Sequence, residues 1–509
     1  MTDTLARPAG ASVRGGASAR PRSGVARDSS VDAIRIALLV VVFALHAMMF
    51  GVTMGPDGLV LENALENQAW FGPVSWVVQV MPMFFIAGGF SSFHHWRSMQ
   101  ARGTSPVDYV RTRLGRLVRP AIVLVVVVAT GLVALSLAGV PADVVATAGF
   151  RIGQPLWFLG VYLAISALVP LMVRAHERAR ALTPLALLAA VVAVDVVRLS
   201  TGIEAIGLAN LLLVWLLVQQ LGFHLADGGL DRLSRGTLWG MAGGALALLA
   251  VLTVVGPYPV DMYDNLNPPT VGLVVLGVAQ LALFQLARPR IRAWVERADA
   301  SRAIATVGER AMTIYLWHMP VLVAFAGALL VASATLGVSL PEPLSFAWWA
   351  SRPLWLGVGA AAVVPVVLVF SRFERGRRMS RTGSPAASAS PSTRPTVPTA
   401  WSAAFDAACG VAGVAVVLVT GFGPLQAVVA LALLTIALQG SGSMLQHSRT
   451  LLAALHRGPR RGRIPMAAHA AATRVGEQHE GSGRPCGRRS ATRPLRSMPP
   501  QPWRDARRP

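Results

Sequence analysis

The chain has 509 residues, of which 54% are hydrophobic and only 14% charged, against roughly a quarter charged in an ordinary soluble protein. So little charge cannot cover a soluble globule, and a mean hydropathy of +0.54 excludes a soluble cytosolic enzyme. The only cysteines, Cys409 and Cys486, have no metal-ligand spacing and exclude a disulfide-stapled secreted domain.

All 46 cations are arginine, and the net charge is +22. Fourteen of them stand between residues 441 and 509 against Glu477, Glu480 and Asp505, a net of +11 in one tail. Most of the rest sit in short runs between apolar segments. That layout belongs to a polytopic membrane protein, in which cations mark the cytoplasmic side, rather than to a nucleic-acid binder with a folded basic face.

Residues 1–30 are rich in Ala, Gly, Ser and Arg without apolar periodicity and read as a disordered basic tail. The first apolar run begins too late and runs too long for a cleaved signal peptide. Apolar stretches long enough to span a bilayer follow at 33–54, 72–93, 117–138, 155–173, 182–200, 205–225, 236–256, 270–287, 311–335 and 346–371. The predicted fold is therefore an all-α membrane bundle of about ten helices over 31–378.

The connecting loops alternate in charge. The loop after the second span carries Arg97, Arg102, Arg111, Arg113, Arg116 and Arg119, and later even loops are likewise rich in arginine. The first loop has Asp57, Glu62 and Glu66 and no cation; the seventh has Asp261 and Asp264 and no cation. This bias predicts a cytoplasmic N-terminus.

Beyond the tenth span come a Pro/Ser/Thr-rich linker at 379–402, a further apolar segment at 403–440 and a disordered arginine-rich tail at 441–509. The apolar segment is broken by Gly421-Phe422-Gly423-Pro424. A hairpin or a non-spanning segment would keep the arginine tail inside, whereas a single span would export it.

Polar residues within apolar spans are expensive and mark cavities or partners. Arg35 and His46 lie eleven residues apart in the first span, about 16 Å along a helix and on one face. A neutral imidazole at that depth suits general acid–base chemistry; the plainer account is a hydrogen bond to a neighbouring helix. In the ninth span Tyr315 and His318 share a face at a spacing of three, with the same two accounts. Arg113 and Arg116 open the third span on one helical face and suit bidentate contacts to a phosphate-rich ligand; positive-inside anchoring, which every even loop shows, is the slightly better account before any resemblance is considered.

The run Met81 to Phe90, with Pro82, Gly88 and Gly89, reads as a kink with close helix approach. Trp157, Phe158 and Tyr162 read as an aromatic belt, Asp195 and Arg198 as an intrahelical ion pair, and His94 and His95 as solvated at a loop edge. Asn210, Gln219, Gln220 and His224 along the sixth span face a polar cavity in the most functional reading. No nucleotide-binding loop, zinc motif or nucleophile elbow is present.

In this order the motifs resemble the integral membrane acyltransferase family 3. They are Asp32-x-x-Arg35, then ten residues and His46; Met81 to Phe90; Arg113-x-x-Arg116 ahead of a proline; Trp157-Phe158; and Gly308 through Tyr315-Leu316-x-His318-x-Pro320. The resemblance covers Val31 to Arg378. It implies transfer of an acyl group, often acetyl, from cytoplasmic acyl-coenzyme A to a hydroxyl of a glycan, glycolipid or other small acceptor. Carried over residue by residue, it implies that His46 and Arg35 are catalytic and that Arg113 and Arg116 bind the donor phosphates, with Tyr315 and His318 auxiliary. His46 would act as general base or transiently carry the acyl group, and Arg35 would orient the donor or stabilise developing negative charge. Arg119 directly before Pro120 departs from the family pattern, where an apolar residue is expected.

No bound cofactor or metal is expected; acyl-coenzyme A is a co-substrate. The other partners expected are the acceptor and membrane lipids, without nucleic acid. The arginine-only, Ala/Val-rich usage suggests a high-GC bacterial genome and hence a bacterial cytoplasmic membrane. The competing reading is a multi-pass transporter or flippase, although no inverted repeat is evident.

Overall fold

A computed structural model describes residues 28–55, 58–66, 68–297, 300–374 and 399–439. The sequence readings for 1–27, for the linker through 398 and for the arginine-rich tail from 440 lie outside the described residues.

The first span is α1 (Ser29–Met49), started by the Asp28 side chain accepting from the Ser30 amide, a common helix N-cap. It ends five residues earlier than its hydropathy suggests, because the chain turns extended at Phe50. Strands β1 (Phe50–Gly55) and β2 (Gly58–Asn63) then pair antiparallel, with Phe50 opposite Asn63.

The second span is broken into α2 (Phe71–Val78) and α3 (Met81–Gln100). Pro82 at the start of α3 has no amide to offer a preceding turn. The freed backbone groups are satisfied by side chains: Gln280 donates to the Gln79 carbonyl at 2.8 Å and accepts from the Met83 amide at 3.0 Å, and the Tyr263 hydroxyl donates to the Val78 carbonyl at 3.0 Å. Inside a membrane an interrupted helix is tolerated on this condition.

The remaining helices are α4 (Pro106–Leu137), α5 (Ala142–Gly153), α6 (Leu156–Arg178), α7 (Leu182–Thr201), α8 (Asn210–Ala226), α9 (Arg235–Val254), α10 (Val271–Arg297), α11 (Ser301–Gly308), α12 (Ala311–Leu336), α13 (Phe346–Phe370), α14 (Ala400–Thr420) and α15 (Pro424–Gln439). Among the described residues, eleven helical segments are long and apolar enough to cross a membrane: the ten anticipated and α14. The chain is an all-α polytopic bundle, with one small hairpin.

With lipid as solvent, close packing replaces the hydrophobic effect as the main attraction between helices. The tightest contact is α3 against α8. A Cβ on Gly222 would overlap the Ile86 carbonyl, and one on Gly89 would come within 2.5 Å of the Gln219 carbonyl oxygen. Around it lie Phe85, Trp215 and Phe158, with the first two rings stacked at 4.4 Å. Helix α7, by contrast, buries only Val191 and Asp195 and presents Leu185, Val192 and Val196 outward, as a helix facing lipid should.

Candidate active site

His46 and His318 come from α1 and α12, far apart in sequence, and meet edge to face with ring centroids 5.0 Å apart. The Nδ1 of His46 lies 2.8 Å from the Val42 carbonyl, and that of His318 lies 2.6 Å from the Tyr315 carbonyl. A carbonyl only accepts, so each Nδ1 carries the proton and each Nε2 keeps its lone pair. The His318 Nε2 is buried with no protein partner. The pair thus offers two bare imidazole nitrogens close together in the bundle.

Tyr315 stands beside this pair, its ring centroid 6.1 Å from that of His318, but its hydroxyl donates to the Pro155 carbonyl. That bond ties α12 to the start of α6 and holds His318 in place from one residue turn away.

Arg35 and Arg113 lie toward the opposite end of α1. The Nε atoms of both are buried without a protein partner. Arg113 donates to the Tyr162 hydroxyl at 3.4 Å, and Tyr162 lies in the electrostatic field of Arg113, Arg35 and Arg116 together. Arg116 is exposed and also lies within reach of Glu374, whose carboxylate accepts from the Thr313 amide and hydroxyl at 3.2 and 2.7 Å. Two guanidiniums with an unmet Nε, Arg35 and Arg113, and the exposed Arg116 beside them form a receptacle for an anion around one phenol. Tyr162 is the residue that the belt reading missed: it sits inside the bundle, stacked on Phe158 at 5.5 Å. Its spacing of four from Phe158 was the available signal, since it places both rings on one face.

A cavity of about 1050 Å³ reaches His46 from the other end. Its walls include Met49, Phe50, Trp157, Leu211 and Met319, and its mouth carries Glu66, Arg151, Asp261 and Asp264. Arg35, Arg113 and His318 do not line it. Burial, then the negative charges of Asp261 and Glu66, push the Asp264 carboxyl above its usual range. Three carboxyls against the one guanidinium of Arg151 still leave the mouth net acidic.

Other polar residues pair differently from the sequence reading. Asp195 accepts from Asn210 at 2.9 Å, from the Tyr258 hydroxyl at 3.0 Å and from the Val271 amide at 2.9 Å, while Arg198 pairs with Glu204 at 2.9 Å. The pair is thus not intrahelical: one turn places Arg198 at the helix end, where Glu204 is nearer. His94 and His95 are half-buried within α3, their rings against Phe90 at 4.6 Å and Tyr109 at 5.8 Å respectively.

Gln220 does not face a cavity. It accepts from His176 Nδ1 at 2.9 Å and donates to the Met172 carbonyl at 3.2 Å. His176 Nε2 in turn meets Asp227 at 2.8 Å, and Arg180 takes the other Asp227 oxygen at 2.7 Å. With His224 these groups gather ligand-type atoms within 4.8 Å of one another. Arg180 already balances the carboxylate, which makes the cluster an interhelical clasp of α6 to α8.

A family model described as an acyltransferase domain, that of acyltransferase family 3, matches residues 28–372. It takes in both histidines, Arg35, Arg113, Arg116 and Tyr162, and ends before α14. No curated protein and no solved structure matches the chain.

Proposed function

We propose, for a chain that belongs to the membrane acyltransferase family 3, a transfer of acetyl from acetyl-coenzyme A to a hydroxyl-bearing acceptor at the His46–His318 pair. Membership makes the protein a multi-pass membrane acyltransferase whose acyl groups are other than aminoacyl. The donor, the acetyl group and the acceptor are the proposal.

The observation that carries this reading is the division of the site. Unpartnered guanidiniums gather at one end, the acidic cavity opens at the other, and two bare imidazole nitrogens stand between them. The donor's phosphates dock on Arg113 and Arg116, with Arg35 and Tyr162 beside them. Its thioester arm then extends along α1 over the ~16 Å from Arg35 to His46. The charge bias of the loops supports a cytoplasmic arginine end, where acyl-coenzyme A is available. The place of Arg35 beside Tyr162 supports donor orientation as its role rather than stabilisation of charge at the reacting carbonyl.

His46 Nε2 accepts the proton of the acceptor hydroxyl as its oxygen attacks the thioester carbonyl. The carbon–sulfur bond breaks, and the departing coenzyme A thiolate takes up the proton from the imidazolium. An ester and a free thiol result. General base catalysis of this kind contributes about 10²–10⁴-fold.

The test is label transfer from acetyl-coenzyme A in membranes holding wild type, His46→Ala or Arg113→Ala, followed by glycan and lipid extraction. Label in one fraction that disappears with His46→Ala supports the reading. Transfer at the wild-type rate by His46→Ala would sink it.

A further inference from the structure

Helices α14 and α15 lie beyond the matched family region and form an antiparallel hairpin about the Gly421–Gly423 turn. A Cβ on Gly410 would meet Ala437 at 3.5 Å and the α4 side chains Val118 and Leu114 at 3.8 and 3.9 Å. A Cβ on Gly413 would crowd Leu434 at 2.9 Å. Gly153 and Gly160 open the flank of α5 and α6 to Val417 and Val414, and Gly149 opens it to Phe422. At the far end Asp406, fully buried, meets Arg111 of α4 at 3.4 Å, and Ser402 accepts from the same guanidinium at 3.3 Å. Small residues and a buried ionic contact are the means by which helices bind one another in lipid. The hairpin is an integral wall of the bundle.

That wall reaches the site. Ala415, Leu418 and Val419 line the same cavity as His46. Three other-facing observations then coincide. Val419 is 77% exposed, Leu208 57% and Phe150 51%, all three line the cavity, and they come from α14, the turn before α8 and α5. Protein leaves these apolar side chains uncovered, and in a membrane bundle hydrocarbon is the medium that suits them. The cavity therefore has a polar, acidic mouth at Glu66, Asp261 and Asp264, and an apolar flank whose outer side chains the protein does not cover.

We infer that the acceptor is an amphiphile: a hydroxyl-bearing head seated at the polar mouth and His46, with a hydrocarbon chain lying through the flank built by Leu418 and Val419. This rests on the reading of His46 as the transfer site. A free water-soluble sugar would leave the apolar flank to lipid and gain nothing from it, whereas an alkyl chain leaves the bilayer only part-way and keeps apolar contact throughout. The hairpin, an addition to the family's matched region, sets this preference.

The experiment uses the full chain in lipid nanodiscs with labelled acetyl-coenzyme A. The probes are methyl β-glucoside and octyl β-glucoside, the latter below its micelle threshold. The expected result is a KM for octyl glucoside lower by at least about tenfold, since each methylene moved from water to an apolar surface adds to binding. The Leu418→Asn/Val419→Asn double variant should remove most of that ratio while leaving the KM for acetyl-coenzyme A unchanged. Equal KM values in wild type, or a ratio unchanged in a correctly folded double variant, overturns the inference.

A second measurement needs no turnover. In Leu418→Cys, maleimide labelling at residue 418, read by peptide mass spectrometry, should be slowed by octyl glucoside and not by methyl glucoside. Protection without any acetyl transfer keeps the lateral site and overturns the chemistry assigned to His46. His46-dependent transfer without protection does the reverse.

Discussion

The imidazoles of His46 and His318 face each other edge to face at 5.0 Å, each with its Nδ1 held by a carbonyl of its own helix. Two neighbouring helices thus fix the tautomer of both rings and turn both Nε2 atoms free of backbone. Only one of the rings, His46, lines the cavity. On the proposed function, His46 is the group that meets the acceptor, and His318 positions it and shares its proton.

The two variants should therefore differ. His46→Ala should lower kcat by about 10²-fold or more, the usual worth of a general base. His318→Gln, which can still present a polar atom to the His46 ring, should cost about tenfold and alter the shape of the pH–rate profile. Rates of acetyl transfer against pH check both. Equal losses in the two variants, with the same profile, would show that the rings act as one unit.

Much of this was legible in the sequence. Ten spans, their order and the Arg35–His46 spacing follow from apolar periodicity and from the cost of charge in lipid. Proximity across helices was not legible. Nothing in the chain order says that residue 318 lies against residue 46, or that Tyr162 lies under Arg113. The same limit explains Asp195, which bonds Asn210, Tyr258 and the Val271 amide from three other segments. A sequence shows a helix's own neighbours at three and four residues, so it suggested Arg198 instead. The end of α1 was misjudged for another reason: hydropathy does not distinguish an apolar helix from the apolar strand after Phe50.

Donor binding should separate Arg113 from Arg116. Arg113 has a buried, unmet Nε, whereas Arg116 is exposed and shares Glu374's field. Arg113→Ala should raise the KM for acetyl-coenzyme A by about tenfold or more, and Arg113→Lys should restore little of it, because one ammonium cannot replace a planar fork. Arg116→Ala should cost less. Acetyl-pantetheine, which lacks the nucleotide phosphates, should be used equally poorly by wild type and Arg113→Ala. A penalty from Arg113→Ala that persists with acetyl-pantetheine would mean that Arg113 supports the fold and not the phosphates.

Helix contact should be most sensitive at Gly222. A methyl group there would overlap the Ile86 carbonyl, a backbone atom that cannot swing aside. Gly222→Ala should part α3 from α8 and leave little monodisperse protein on size exclusion, since overpacking of this kind costs about 1–3 kcal/mol or more. Gly243→Ala in α9 is the control: nothing lies within 4 Å of the added methyl, and helix propensity improves. If both variants behave alike, close approach of α3 and α8 is not what holds the bundle.

Acid should loosen the start of α1. Burial disfavours charge on Asp28, but hydrogen bonds from Ser30 and the guanidinium of Arg288 outweigh it and hold the carboxyl well below the usual range. Arg288 meets Asp28 at 2.7 Å and Arg292 meets it at 2.9 Å, clamping the head of α1 to α10. A carboxyl whose folded pKa is depressed stabilises the fold fully above its unfolded pKa, near 4 for Asp. That stability falls away as pH drops below that value toward the folded pKa. Asp28→Asn should therefore lower thermal stability at neutral pH by about 2 kcal/mol, the scale of hydrogen bonds to a charged group. It should also flatten the decline of wild type below about pH 4. Thermal unfolding in detergent from neutral pH downward checks the sign. An Asp28→Asn protein that loses stability in acid as steeply as wild type would remove Asp28 as the acid-sensitive clamp and leave its contacts with Arg288 and Arg292 without energetic weight.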